Sequence, residues 1–201
     1  MKPRTLLWLL VVLALAGGAW LFYRGMGPSA PPAAAGSGTA LVGGPFQLVD
    51  QNGKPVTEAV LKGKWSLVFF GFTSCPDVCP TTLSALGQAI DQLGPKAANL
   101  QVVLISVDPE RDTPAQMKTY LTTPGFPPNI IGLTGTVAQS DAAARAYRVF
   151  HEKQATGDTY TVNHSTAIYL MDPKGRFNRV LSYGLTPEEL VRQISDAMRG
   201  S

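Results

Sequence analysis

Cysteine and histidine are scarce in this sequence, with two of each in 201 residues. Two cysteines cannot staple a disulfide scaffold, nor can they supply a zinc site of four thiolates. They suffice for one dithiol–disulfide couple, or for two ligands of a mixed thiolate–imidazole site. A surplus of charge is also missing once position is considered. Lys2, Arg4 and Arg24 flank the first apolar segment, and no acid precedes Asp50. With those three bases set aside, 14 basic residues face 14 acidic ones. So balanced a body carries no basic stripe, which excludes nucleic acid as an expected partner. No internal repeat is present, and a chain of this length suits one domain with an appendage.

The longest hydrophobic run is Leu6 to Tyr23, 18 uncharged residues with Trp8 toward one end and Trp20 and Tyr23 toward the other. That is just enough to cross a hydrocarbon core as a slightly short helix. The flanking bases place the N-terminus in the cytoplasm and everything after Arg24 outside. A cleaved signal peptide would use Ala14-Leu15-Ala16, but the run continues past it through Trp20 to Tyr23, which favours a retained anchor. The start at Met1 has no Arg/Ser-rich amphipathic leader, which favours a bacterial inner membrane over organelle import. Residues 25–44 are rich in Gly, Pro, Ala and Ser and read as a linker reaching roughly 25 Å. The expected organisation is an anchor over 1–24, a linker over 25–44 and one folded domain over 45–201.

From Pro45 onward the pattern is globular. Phe46–Val49 reads as a short strand, followed by a turn at Asp50–Gly53. Ser66–Phe72 and Leu100–Val107 are nearly all-apolar runs of the kind buried on both faces of a sheet. Leu83, Leu86, Ile90 and Leu93 recur at helical spacing. Thr113-Pro114 with Gln116, and Thr136 with Gln139, open two further helices, the second running to about Val149. Ile130–Leu133 lies between them as a short strand. Thr166–Met171 and Phe177–Tyr183, joined by Asp172-Pro173-Lys174-Gly175, read as a hairpin. Thr186-Pro187-Glu188-Glu189 opens a last helix whose inner face carries Leu190, Ile194 and Met198. The order βαβα, an extra βα and then ββα predicts an α/β fold with a mixed sheet. A dithiol that ends the first long buried strand and opens a helix is the thioredoxin-like arrangement.

That dithiol is Cys75 and Cys79 in Gly71-Phe72-Thr73-Ser74-Cys75-Pro76-Asp77-Val78-Cys79-Pro80. At i and i+4 the two sulfurs share a helix face; alternatively Pro80 starts the helix and leaves Cys75 in a preceding turn. In both arrangements the sulfurs lie near a helix N-terminus, which favours thiolate. Asp77 would oppose thiolate if it pointed inward and is expected to point out. A third donor makes a trigonal soft-metal site for Cu(I), and two thiolates with one imidazole also hold Cu(II). The candidates are His151, His164, Met117, Met171 and Met198. His164 precedes the hairpin strand, in the loop that faces the dithiol in a thioredoxin-like sheet. Thioredoxin-like reductases place a cis-proline there, whereas this chain offers an imidazole. His151, following a helix in a polar stretch, is expected at the surface. Asp108 ends the second buried strand and is expected either to tune the site from outside the ligand set or to serve as a turn residue. The sequon Asn163-His164-Ser165 is read as chance, since a glycan there would obstruct the proposed ligand.

The Cys segment, Ser106–Thr113 (SVDPERDT), Ala144–Val149 and Val162–Ser165 together resemble the Sco/SenC family of membrane-anchored, thioredoxin-like copper proteins. The likeness runs over residues 45 to 199 in the same order. It implies copper bound by Cys75, Cys79 and His164, with Asp108 influencing the site. It also implies a role in assembling the dinuclear copper centre of cytochrome c oxidase subunit II. The residue before the histidine is often Asp in that family and is Asn163 here, which alters local charge rather than the ligand.

Two functions compete. A copper metallochaperone receives copper from a donor protein and passes it to the oxidase. A thiol–disulfide oxidoreductase instead reduces the target's own cysteines. Both need a thioredoxin-like reductant to reopen a Cys75–Cys79 disulfide, but only the first needs His164. A sensor acting through a membrane partner and a structural zinc site are the remaining readings, the latter lacking a fourth ligand.

Overall fold

The computed structural model describes residues 42–200 together with Trp20, so the expected anchor over 1–24, Trp20 apart, and nearly all of the expected linker over 25–44 lie outside the described residues. Among the described residues, no helix is long and apolar enough to cross a membrane.

The centre of the domain is β3 (Trp65–Gly71), whose seven residues WSLVFFG are all buried. Such a run cannot leave either face in water, so it takes the middle of a covered sheet. It pairs in parallel with β4 (Leu100–Ser106) and antiparallel with β8 (Ile168–Met171). Outward from β4 come β5 (Ile131–Thr134), β1 (Gln47–Asp50) and β2 (Pro55–Thr57), and outward from β8 comes β9 (Phe177–Leu181). The strand order of this seven-stranded mixed sheet is β2-β1-β5-β4-β3-β8-β9.

Among the described residues, four α-helices flank it. The first, α1 (Val78–Leu93), buries Leu83 and Leu86 and packs against α4 (Pro187–Arg199). Between them in sequence, α2 (Pro114–Leu121) lies on β5 so closely that a Cβ at Gly132 would stand 2.5 Å from Leu121 Cδ1. The third, α3 (Val137–Ala146), contacts β1. Its N-terminus and that of α4 carry complete capping boxes, Thr136 with Gln139 and Thr186 with Glu189. At α2 only half the motif forms, with Thr113 accepting from the Gln116 amide.

This is the mixed α/β, thioredoxin-like arrangement that the alternation predicts, with two differences. α3 ends at Ala146 rather than near Val149, because Arg148 takes a left-handed conformation with φ 56° and Val149 turns back to bond Ala144. More consequentially, the segment after α3 is a separate two-stranded hairpin, β6 (His151–Thr156) and β7 (Thr159–His164). Its sequence is mostly polar, β6 is largely exposed and β7 buries only Val162, so it gives no hydrophobic period to read. His151, expected at the surface, is half-buried: it opens β6 directly opposite His164 and lies 3.3 Å from Asp141.

Candidate metal centre

β3 ends at Gly71, and the chain must turn immediately over the sheet edge. The Cys75 amide bonds the Phe72 carbonyl at 3.2 Å, closing a turn that leaves Cys75 half-buried ahead of α1. The helix itself starts at Val78, so Cys79 sits in its first turn and is fully buried. The cysteines are therefore one in a turn and one in a helix, not two on a helix face. The Cys79 amide points at Cys75 Sγ, 3.4 Å away, as an orphan helix N-terminal donor would. Asp77 is exposed and contacts Thr81, as expected of a carboxylate kept away from the sulfurs.

The two thiols differ sharply. The hydrogen bond from Cys79 holds the Cys75 thiol down to about 4, aided by His164 and the Asp77 and Cys79 amides and opposed by burial. Cys79, donating that bond and buried deeper, is pushed far upward. The reduced pair thus shares one proton, held on the inner sulfur.

The imidazole arrives from β7. His164 Nε2 lies 3.7 Å from Cys79 Sγ, and its Nδ1 lies 2.9 Å from the Ser165 carbonyl. A carbonyl can only accept, so Nδ1 carries a proton, and Nε2 is the ring nitrogen that faces the sulfurs. The ring is held edge-on by Phe72, 5.7 Å between centroids, and Phe69, 6.2 Å. The donor atoms of Cys75, Cys79 and His164 all lie within 4.8 Å of one another. Donors at metal–sulfur and metal–nitrogen distances of about 2.3 and 2.0 Å in a trigonal plane stand about 3.7 Å apart. The Cys79–His164 spacing already meets this, and Cys75 Sγ lies within 4.8 Å of both. Two soft sulfurs and one imidazole suit a thiophilic ion better than a hard one. A cleft of about 230 Å³, lined by Phe72, Cys75, Pro76, Thr161, Asn163 and His164, opens the centre to solvent.

Gly71 forms the floor. A Cβ there would meet Cys79 Sγ at 2.8 Å and the Phe69 ring at 3.0 Å. Gly71→Ala is expected to cost about 1–3 kcal/mol of stability through overpacking and to displace the inner sulfur. Thermal unfolding of the reduced protein measures the first effect, and a changed spectrum of a bound metal the second.

Asp108 touches none of the three donors. It is fully buried, accepting from Tyr160 Oη at 2.8 Å and from Arg111 Nε. Asp112, also fully buried, accepts from Thr73 and Ser106. Sequence reasoning passed over Arg111, Asp112 and Tyr160, whose partners lie up to 52 residues away. Met117 and Met171 are core residues, packed near Gly132 and Gly43.

The fold and centre define a class: a thioredoxin-like dithiol protein in which an imidazole occupies the place beside the cysteines, with no cis peptide bond among the described residues. The comparisons make it specific. The SCO1/SenC family profile matches residues 34–199, and the chain belongs to that family. Protein SenC of Rhodobacter capsulatus is 44% identical over 160 residues, covering 79% of this chain and 72% of SenC. The mitochondrial SCO1 homolog 1 of Arabidopsis thaliana is 45% identical over 153 residues, covering 75% of this chain and 43% of that protein. The chain spans about half the length of that protein and of the matched SCO2 and SCO1 of Saccharomyces cerevisiae, 54% and 49%. Among solved structures, Bradyrhizobium japonicum ScoI with copper bound superposes with a TM-score of 0.71 at 48% identity, covering 79% of this chain and 98% of that one. Yeast Sco1 with copper bound gives 0.72 at 40% identity, covering 80% and 90%.

Proposed function

We propose that this protein is a copper metallochaperone that holds copper through Cys75, Cys79 and His164 and delivers it during cytochrome c oxidase assembly. The observation that carries the reading is the convergence of those three donors, from a turn, a helix and a distant hairpin, within 4.8 Å. Relatives whose structures hold copper support the choice of metal. The sequence pattern supports an anchor over 1–24 in a bacterial inner membrane, a linker over 25–44 and a periplasmic domain over 45–201. The recipient is the dinuclear copper site of oxidase subunit II, loaded by ligand exchange, with the cargo coming from a copper donor protein. Cys79 is sealed beneath the chain, so exchange starts at the half-exposed Cys75, from which an incoming thiolate can take over one ligand at a time.

The asymmetry of the thiols favours a second reading, thiol–disulfide exchange. The Cys75 thiolate would attack a target disulfide and release one target thiolate. Cys79, giving up its proton, would then displace the second, leaving a Cys75–Cys79 disulfide with one target thiol and one target thiolate. A thioredoxin-like reductant must afterwards return two electrons and one proton. The experiment mixes copper-loaded protein with the reduced, metal-free copper domain of oxidase subunit II and follows copper and thiols separately. Transfer of copper to a target already reduced supports the chaperone. Retention of copper, together with rapid reduction of an oxidised target, hands the function to the reductase.

A further inference from the structure

We propose that the turn leaving β4, residues 106–113, is a two-armed clamp that sets the separation between the cysteine loop and the histidine-bearing hairpin. The hairpin is polar and exposed and has little core of its own. Apart from His151 against Asp141 and Lys153 against Glu110, the polar ties described between it and the body converge on one group. Asp108, fully buried, accepts from Tyr160 Oη on β7 and from Arg111 Nε. Arg111 in turn donates Nη1 to the Tyr160 carbonyl at 3.0 Å and lies over the Tyr160 ring, 3.9 Å from its centroid. Tyr160 is thereby gripped at its hydroxyl, its ring and its backbone, four residues before His164. The same guanidinium stands 5.8 Å from the Phe72 ring, the ring that meets His164 edge-on.

The other arm reaches the cysteines. Asp112 accepts both the amide and the hydroxyl of Thr73, the hydroxyl at 2.7 Å, two residues before Cys75. Ser106 joins the arms, donating to Asp112 at 2.6 Å and accepting from the Asp108 amide at 3.0 Å. Two buried acids, four residues apart on one short turn, therefore hold the two halves of the centre at a fixed spacing. Asp108 acts on His164 through Arg111 and Tyr160, not by contact. The ion pair of Lys153 with Glu110 is exposed and adds little.

The test starts with hydrogen exchange on the full-length, reduced, metal-free protein, which reads the clamp independently of any metal. Tyr160→Phe and Asp108→Asn are each expected to speed exchange across residues 151–164 by about tenfold, while β3 and β4 stay protected. Asp112→Asn is expected to spare the hairpin and instead change the alkylation rate of Cys75 several-fold. Lys153→Ala is expected to change either by less than about twofold. The spectroscopic arm rests on the copper-carrier reading. With Cu(II) added, the Asp108 and Tyr160 variants are expected to weaken the sulfur-to-copper charge-transfer band without moving the dithiol's reduction potential. Unaltered hairpin exchange in both variants overturns the clamp, as does loosening spread evenly over the whole domain. If the hairpin alone loosens and the unaltered protein takes up no copper, the clamp stands and the carrier function falls.

Discussion

His164→Ala is expected to lower the affinity for Cu(II) by at least roughly a hundredfold and to abolish the charge-transfer spectrum, while the dithiol's reduction potential moves by less than about 30 mV. Losing even a group that merely orients a metal ligand typically costs 10- to 100-fold, and in the proposed site His164 supplies the ligand atom itself. Its Nε2 stands 3.7 Å from Cys79 Sγ, and no second imidazole is placed to substitute. His151 faces away from this role, engaged with Asp141 at 3.3 Å. The potential is set chiefly by the two sulfurs, and His164 ranks below the Cys79 bond and burial among the influences on Cys75. Copper titration, absorption spectroscopy and a redox titration of the same variant separate the outcomes. An unchanged spectrum would remove His164 from the ligand set.

The second large effect lies in how the reduced protein responds to pH. With its pKa held down to about 4, Cys75 is a thiolate throughout the neutral range. Its alkylation rate by iodoacetamide is expected to be flat from about pH 5 to 8, where an ordinary thiol with pKa about 8.5 accelerates nearly tenfold per unit. Cys79, fully buried and pushed upward, is expected to react only after unfolding. Stability follows with a definite sign. Between about pH 4 and the unfolded value of about 8.5, the unfolded chain keeps a proton that folded Cys75 has lost, so stability rises with pH over that window. It is lost as pH falls through about 4. Above about 8.5 the sign reverses, because folded Cys79 retains a proton that the unfolded chain gives up. Denaturant unfolding of the reduced protein across this range checks the slope, and Cys75→Ser should flatten the acidic limb. A rate that climbs steadily from pH 6 to 9 would contradict the assigned asymmetry.

Much of the scaffold was readable because burial leaves a period in the sequence. Seven consecutive buried residues in β3, and the capping residues Thr136 and Thr186, announce their elements locally. The hairpin carrying His164 did not, because only Val162 of its two strands is fully buried. Gly157, at φ 59° between Thr156 and Asp158, is the one local mark of its turn. At the centre, the cysteine pair stood out at its junction, and His164 by its place before the hairpin strand among few candidate donors; the structure brings the three together. What lay beyond sequence was the wiring around them. Asp108 is a turn residue that is also a buried acceptor, and its grip on Tyr160 spans 52 residues. Asp112 meets Thr73 across 39, a pairing that no local pattern encodes.

The imidazole lies 85 residues downstream of the inner sulfur. A ribosome therefore releases both thiols long before the third donor exists, and a half-made or unfolded chain owns only a bare sulfur pair. Selective capture becomes available only when synthesis has passed β7 and the hairpin has docked. On the copper-carrier reading, competence to hold the metal is thus itself a report that synthesis has passed β7 and that the hairpin is in place.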